Sequence, residues 1–124
     1  MRLERLLKLQ LLYCLLGILF NLISWFMLSQ GTKALTPTDP GAGIIVMSVY
    51  GLFLISGKMR KRSLYRILMG LSVAIFIYGG LIKHIIGLNQ SPEVYYSLVS
   101  GLVAIGINLF GLVLNSLAAL EKFT

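Results

Sequence analysis

The sequence predicts an all-α integral membrane protein, built as a four-transmembrane-helix up-down bundle. Three observations predict it. Apolar residues make up 57% of the chain and charged residues 12%, where a soluble domain carries about 25% charged residues. Mean hydropathy is +0.88. The apolar residues collect into four runs at about 9–29, 41–57, 64–83 and 95–118, each near the ~20 residues that cross a bilayer. The 124 residues therefore form one four-helix domain, with no room for a separate soluble one.

The first run follows a short basic lead holding Arg2, Glu4, Arg5 and Lys8. A basic start before an apolar run resembles a signal peptide. This run is too long for one and no A-x-A-like site follows it, so a retained first span is expected. Trp25 and Phe26 near its far end suit an interfacial belt. A polar stretch with Pro37 and Pro40 comes next. Asp39-Pro40 is a helix start, Asp as cap and Pro at the first helical position.

The second run is short. It ends in the one dense charge cluster, Lys58, Arg60, Lys61, Arg62 and Arg66, with no acid among them. Such a cluster could in principle suit nucleic acid. Between two apolar runs it reads instead as an orientation determinant that meets anionic headgroups, and no nucleic-acid partner is expected. The third run has helical composition as far as residue 86, with Lys83 and His84 at its far end. These two are expected at the outer interface. Ser91-Pro92-Glu93 is a second helix start, with Tyr95 and Tyr96 at the interface beyond it. Lys and Arg are dense in the lead and the middle loop and sparse in the other two loops. Both termini and the middle loop are therefore expected in the cytoplasm, and the expected location is the bacterial inner (plasma) membrane.

The last run carries a regular seam: Ser97, Gly101, Ala104, Asn108, Gly111, Asn115 and Ala118. Its steps alternate four and three, a 3.5-residue repeat. Small and amide-bearing residues on a seam, with large apolar residues elsewhere, describe a helix gripped by another helix in lipid. The first run repeats the pattern at Gln10, Cys14, Gly17, Asn21, Ser24 and Leu28. Set antiparallel, Gly17 falls opposite Gly111, Asn21 opposite Asn108, Cys14 opposite Asn115 and Ser24 opposite Ala104. The expectation is that span one packs on span four along this seam, within one chain or between two copies, with facing amides satisfying each other.

The chemistry-bearing residues are few. Cys14 is the only cysteine and His84 the only histidine, so a disulfide within the chain is excluded and a metal site is not expected. No paired carboxylates, nucleophile–base set or phosphate-binding glycine loop is present. No cofactor and no enzymatic activity are expected. The size and four spans resemble the small multidrug transporters. Those carry a Glu in the first span where this chain has Asn21, so no transport chemistry is carried over. Two functions remain. One is a non-catalytic subunit, scaffold or accessory factor of a larger membrane complex. The other is a minimal oligomeric transporter, flippase or channel with a polar path lined by Asn21, Asn108 and Asn115. The expected partners are the bilayer and either another membrane protein or a second copy.

Overall fold

A computed structural model describes all 124 residues, as helices and short connections. The helices are α1 (Leu3–Ser29), α2 (Pro40–Lys58), α3 (Arg62–Phe76), α4 (Lys83–Gln90) and α5 (Leu98–Ala119). A π-helical turn, Ile77–Ile82, joins α3 to α4, and the three form one rod, Arg62–Gln90. The fold therefore has four rods of 27, 19, 29 and 22 residues, each long and apolar enough to cross a membrane. At 1.5 Å per residue even α2 is about 28 Å long, close to the ~30 Å of a hydrocarbon core.

The outward faces are apolar. Phe26 is 64% exposed, Ile67 68% and Val99 68%. A water-soluble surface does not tolerate a continuous apolar exterior, so the fold is compatible with an integral membrane protein. Inside, α1 lies chiefly on α2 and α3 chiefly on α5, while α1 also meets α5 and α2 meets α3. One end of the bundle carries both termini, the α2–α3 turn and most of the cations; we call it the basic end. The other carries residues 30–39 and 91–97; we call it the loop end.

Three boundaries differ from the sequence expectation. Helix α1 begins at Leu3 rather than near residue 9. Leu3 and Leu6 are buried one turn apart while Arg2, Arg5 and Lys8 stay exposed, so the basic lead is an amphipathic first turn. The third rod runs to Gln90 rather than 83, through the π turn. Its glycines, Gly79 and Gly80, tolerate the wider turn. Ser91-Pro92-Glu93 opens only a 3₁₀ turn, Pro92–Val94. The cap of α5 is Ser97, whose Oγ accepts from Ser100 N at 3.0 Å while Ser100 Oγ accepts from Ser97 N at 3.1 Å. This reciprocal capping box displaces the helix start because Tyr95 is extended and carries its ring back to His84. At α2 the Asp39 carboxylate accepts from Gly41 N at 3.1 Å, with Pro40 at the first helical position.

Both ends are closed by short contacts. At the basic end Glu121 takes a left-handed conformation and turns Phe123 inward, where it meets the Tyr65 ring edge-on at 5.8 Å. Arg62 and Arg66 reach Glu121 at 3.3 and 2.9 Å. At the loop end Leu35 is held three times: its N–H donates to Ser24 Oγ at 2.9 Å and its carbonyl accepts from Ser100 Oγ at 2.7 Å and from Tyr96 N at 3.4 Å.

Candidate functional site

The core-facing residues of α1 include Leu3, Leu6, Gln10, Tyr13 and Gly17, spaced three and four apart. That spacing puts one amide and one phenol on the helix stripe facing the other three rods. The same reasoning brings Tyr50 inward from α2, Tyr65 and Met69 from α3, and Asn115 from α5, all of them at most 1% exposed. One polar residue from each rod meets in a single buried knot.

Its hydrogen bonds follow from donor accounting. Tyr65 Oη donates to Gln10 Oε1. Gln10 Nε2 uses both hydrogens, on Asn115 Oδ1 at 3.1 Å and Met69 Sδ at 3.1 Å. Tyr50 Oη donates to the same Asn115 Oδ1 at 2.5 Å. An amide nitrogen only donates, so the Gln10 bond fixes which way Asn115 faces. Its Nδ2 is the one buried side-chain polar atom without a partner. Every other polar group of the knot is satisfied, as a low-dielectric interior requires.

Above the knot lies an aromatic floor. Tyr13, Tyr50 and Phe76 meet edge to face, with centroids 5.3, 5.8 and 6.2 Å apart, inside the range such pairs favour. Above that floor is a cavity of about 80 Å³, lined by Tyr13, Asn21, Thr36, Thr38, His84 and Asn108 among others. It has room for about two or three waters. The loop end roofs it: Thr36 is 2% exposed and shares a 2.8 Å hydrogen bond with Thr38. His84 Nδ1 lies 3.0 Å from Tyr95 Oη. Burial pushes the Tyr95 phenol above its ordinary value, so it remains a hydroxyl at neutral pH.

The structure takes the predicted seam apart. Asn21 and Asn108 both line the cavity but are not hydrogen-bonded to each other. Asn21 Nδ2 donates to Gly17 O and Asn108 Nδ2 to Ala104 O, each at 2.8 Å and each within its own helix. An amide with its own i−4 carbonyl in reach needs no partner amide. The Asn21 side chain lies over Gly43 of α2 and that of Asn108 over Gly80 of the π turn, where a Cβ would overlap each amide. Gly17 faces Met47, and Gly51 faces Cys14. Cys14 Sγ donates to Met47 O at 3.2 Å rather than meeting Asn115. Ser24 holds Leu35 rather than Ala104, Ala104 lines the cavity, and Gly101 lies under Leu88.

Helices α1 and α5 do touch, in a register one turn away from the one expected. Tyr13, not Gly17, sits on Gly111, and Gln10, not Cys14, bonds Asn115; each partner is four residues earlier. The physical reason is that a glycine notch filled by a ring, together with an amide-to-amide hydrogen bond, buries more than glycine on glycine.

The remaining predicted residues divide. Lys83 is exposed, whereas the His84 side chain is 5% exposed and turns into the bundle to line the cavity at the loop end. Tyr95 is buried with it, while Tyr96 is 53% exposed. In the basic cluster Lys58, Arg60 and Lys61 are free of ion pairs, and Arg62 and Arg66 clamp the C-terminal turn through Glu121. Sequence reasoning missed Tyr13, Tyr50, Tyr65 and Met69 as site residues. The signal was present: Tyr65, Met69 and Ser72 repeat at four and three, as do Met47, Tyr50 and Leu54. No protein-family model, curated protein or solved structure matches this chain.

Proposed function

We propose that this chain is a non-catalytic membrane protein, acting as a subunit, scaffold or accessory factor of a larger membrane complex. The observation that carries this reading is the knot of Gln10, Tyr50, Tyr65 and Asn115. Apart from Asn115 Nδ2, its polar groups are spent on one another across all four helices, as suits a device that fixes helix positions. A transport path or an acid–base site would keep such groups free for a ligand. We place the termini and the α2–α3 turn on the cytoplasmic side of a bacterial inner membrane, because the cations concentrate there. The partner is another membrane protein seated on the apolar exterior.

A second reading, a minimal oligomeric transporter, flippase or channel, is favoured by one feature. The cavity gathers Asn21, Asn108 and His84, and Asn21 and Asn108 belong to the predicted polar path. Purification of the tagged chain from its native membrane in mild detergent separates the two. The subunit reading expects an unrelated membrane protein at fixed stoichiometry. A pure homo-oligomer that raises solute or ion flux across liposomes would contradict it and support the second.

A further inference from the structure

Outside the interior just described, α1 and α2 part at the basic end to leave a groove of about 480 Å³. That volume lies within the range of specific small-ligand sites, about 300–1,000 Å³. Its lining has two kinds of residue. Leu7, Leu11 and Ile55 form an apolar wall, and Lys8, Lys58 and Arg60 form a cationic rim with Glu4. Leu11 and Ile55 are each 50% exposed, so the groove opens sideways, toward whatever surrounds the bundle.

The rim cations differ from the rest of the basic cluster. Arg62 and Arg66 are engaged by Glu121, whereas Lys8, Lys58 and Arg60 form no ion pair. Arg60 has a φ of 57°, and this left-handed residue breaks α2 so that the rim stands where the spanning helix ends. Gly57 lets the Leu7 side chain lie against α2 at the base of the groove, since a Cβ there would lie 2.8 Å from Leu7 Cδ2. Unpaired cations at a helix end, directly above a sideways-opening apolar cleft, complement one kind of molecule: an amphiphile with a negative head. The single carboxylate leaves the rim positive.

We propose that the groove between α1 and α2 is a site for one anionic glycerophospholipid of the phosphatidylglycerol type. Its phosphate sits among Lys8, Lys58 and Arg60, and an acyl chain runs along Leu7, Leu11 and Ile55. The site does not depend on which function the interior serves.

Spin-labelled lipids in nanodiscs of zwitterionic phosphatidylcholine, containing the full chain, test this through the motionally restricted fraction. Phosphatidylglycerol should be held several-fold over phosphatidylcholine. Lys8→Gln with Lys58→Gln should bring that preference close to parity, since each cation near an anionic headgroup adds to its attraction. Lys61→Gln with Lys122→Gln, cations outside the groove, should leave it unchanged. Leu11→Trp should lower it with no change of charge. Helical circular dichroism confirms that each variant is folded. Equal retention of both lipids would overturn the proposal, as would phosphatidylethanolamine held as well as phosphatidylglycerol. An equal loss from the Lys61 and Lys122 pair would reduce the effect to diffuse surface attraction. An unaltered preference in Leu11→Trp would remove the acyl wall from the account.

Discussion

Glycines that look alike in the sequence have opposite duties in the fold. At Gly111 an added methyl would sit 2.7 Å or less from Tyr13 ring atoms. A ring pinned between Tyr50 and Phe76 cannot retreat, so Gly111→Ala should destabilise the bundle by about 1–3 kcal/mol, the usual cost of overpacking. Gly106, five residues earlier, meets nothing within 4 Å. Gly106→Ala should leave stability unchanged or slightly raised, since Ala is the better helix former. Reversible unfolding in mixed micelles with increasing dodecyl sulfate measures both. Equal effects of the two substitutions would place Tyr13 elsewhere. Asn21 and Asn108 are legible in the sequence as buried amides, but their partners are not. Whether an amide turns to its own i−4 carbonyl or across a seam depends on a neighbouring glycine, Gly43 or Gly80, distant in the chain.

For the helices, periodicity was a sound guide to which face turns inward and a poor guide to what meets it. The buried residues of α5 include Gly101, Ala104, Gly111, Asn115 and Ala118, all on the predicted seam. A 3.5-residue repeat defines a stripe on one helix. It does not distinguish registers one turn apart, because a shift of three or four residues maps the stripe onto itself. Large side chains break that degeneracy, and here Tyr13 does so by filling the notch at Gly111. The π turn was not legible either; Gly79-Gly80 permits it, but the Asn108 side chain occupies the space that Gly80 leaves open. Disulfide trapping in a Cys14→Ser background checks the arrangement. Asn21→Cys with Gly43→Cys should crosslink readily, and so should Asn108→Cys with Gly80→Cys, since bridging needs Cβ atoms about 3.5–4.5 Å apart. Asn21→Cys with Asn108→Cys should not. Efficient trapping of that last pair would restore the facing-amide seam.

At the scale of the whole molecule, four apolar rods surround a polar interior with two levels: a sealed knot toward the basic end and a small cavity toward the loop end. Composition and hydropathy made the four rods legible; the knot depends on tertiary convergence that no single run displays. In the orientation we propose, Lys61→Cys should be protected from an impermeant thiol reagent applied outside intact cells, and Lys33→Cys should react. Both positions are exposed in the fold, so access reports the side of the membrane rather than burial. Labelling of position 61 from outside would reverse the orientation. The central claim is that Gln10 and Asn115, 105 residues apart, are energetically joined and so hold α1 to α5. The direct measurement is a double-mutant cycle with Gln10→Leu and Asn115→Leu, each scored by unfolding free energy in micelles. The account predicts a coupling of about 0.6 kcal/mol, the average measured for side-chain hydrogen bonds within membrane bundles, and no more than about 1.7, the largest. Strictly additive losses, with no coupling between the two sites, would contradict it.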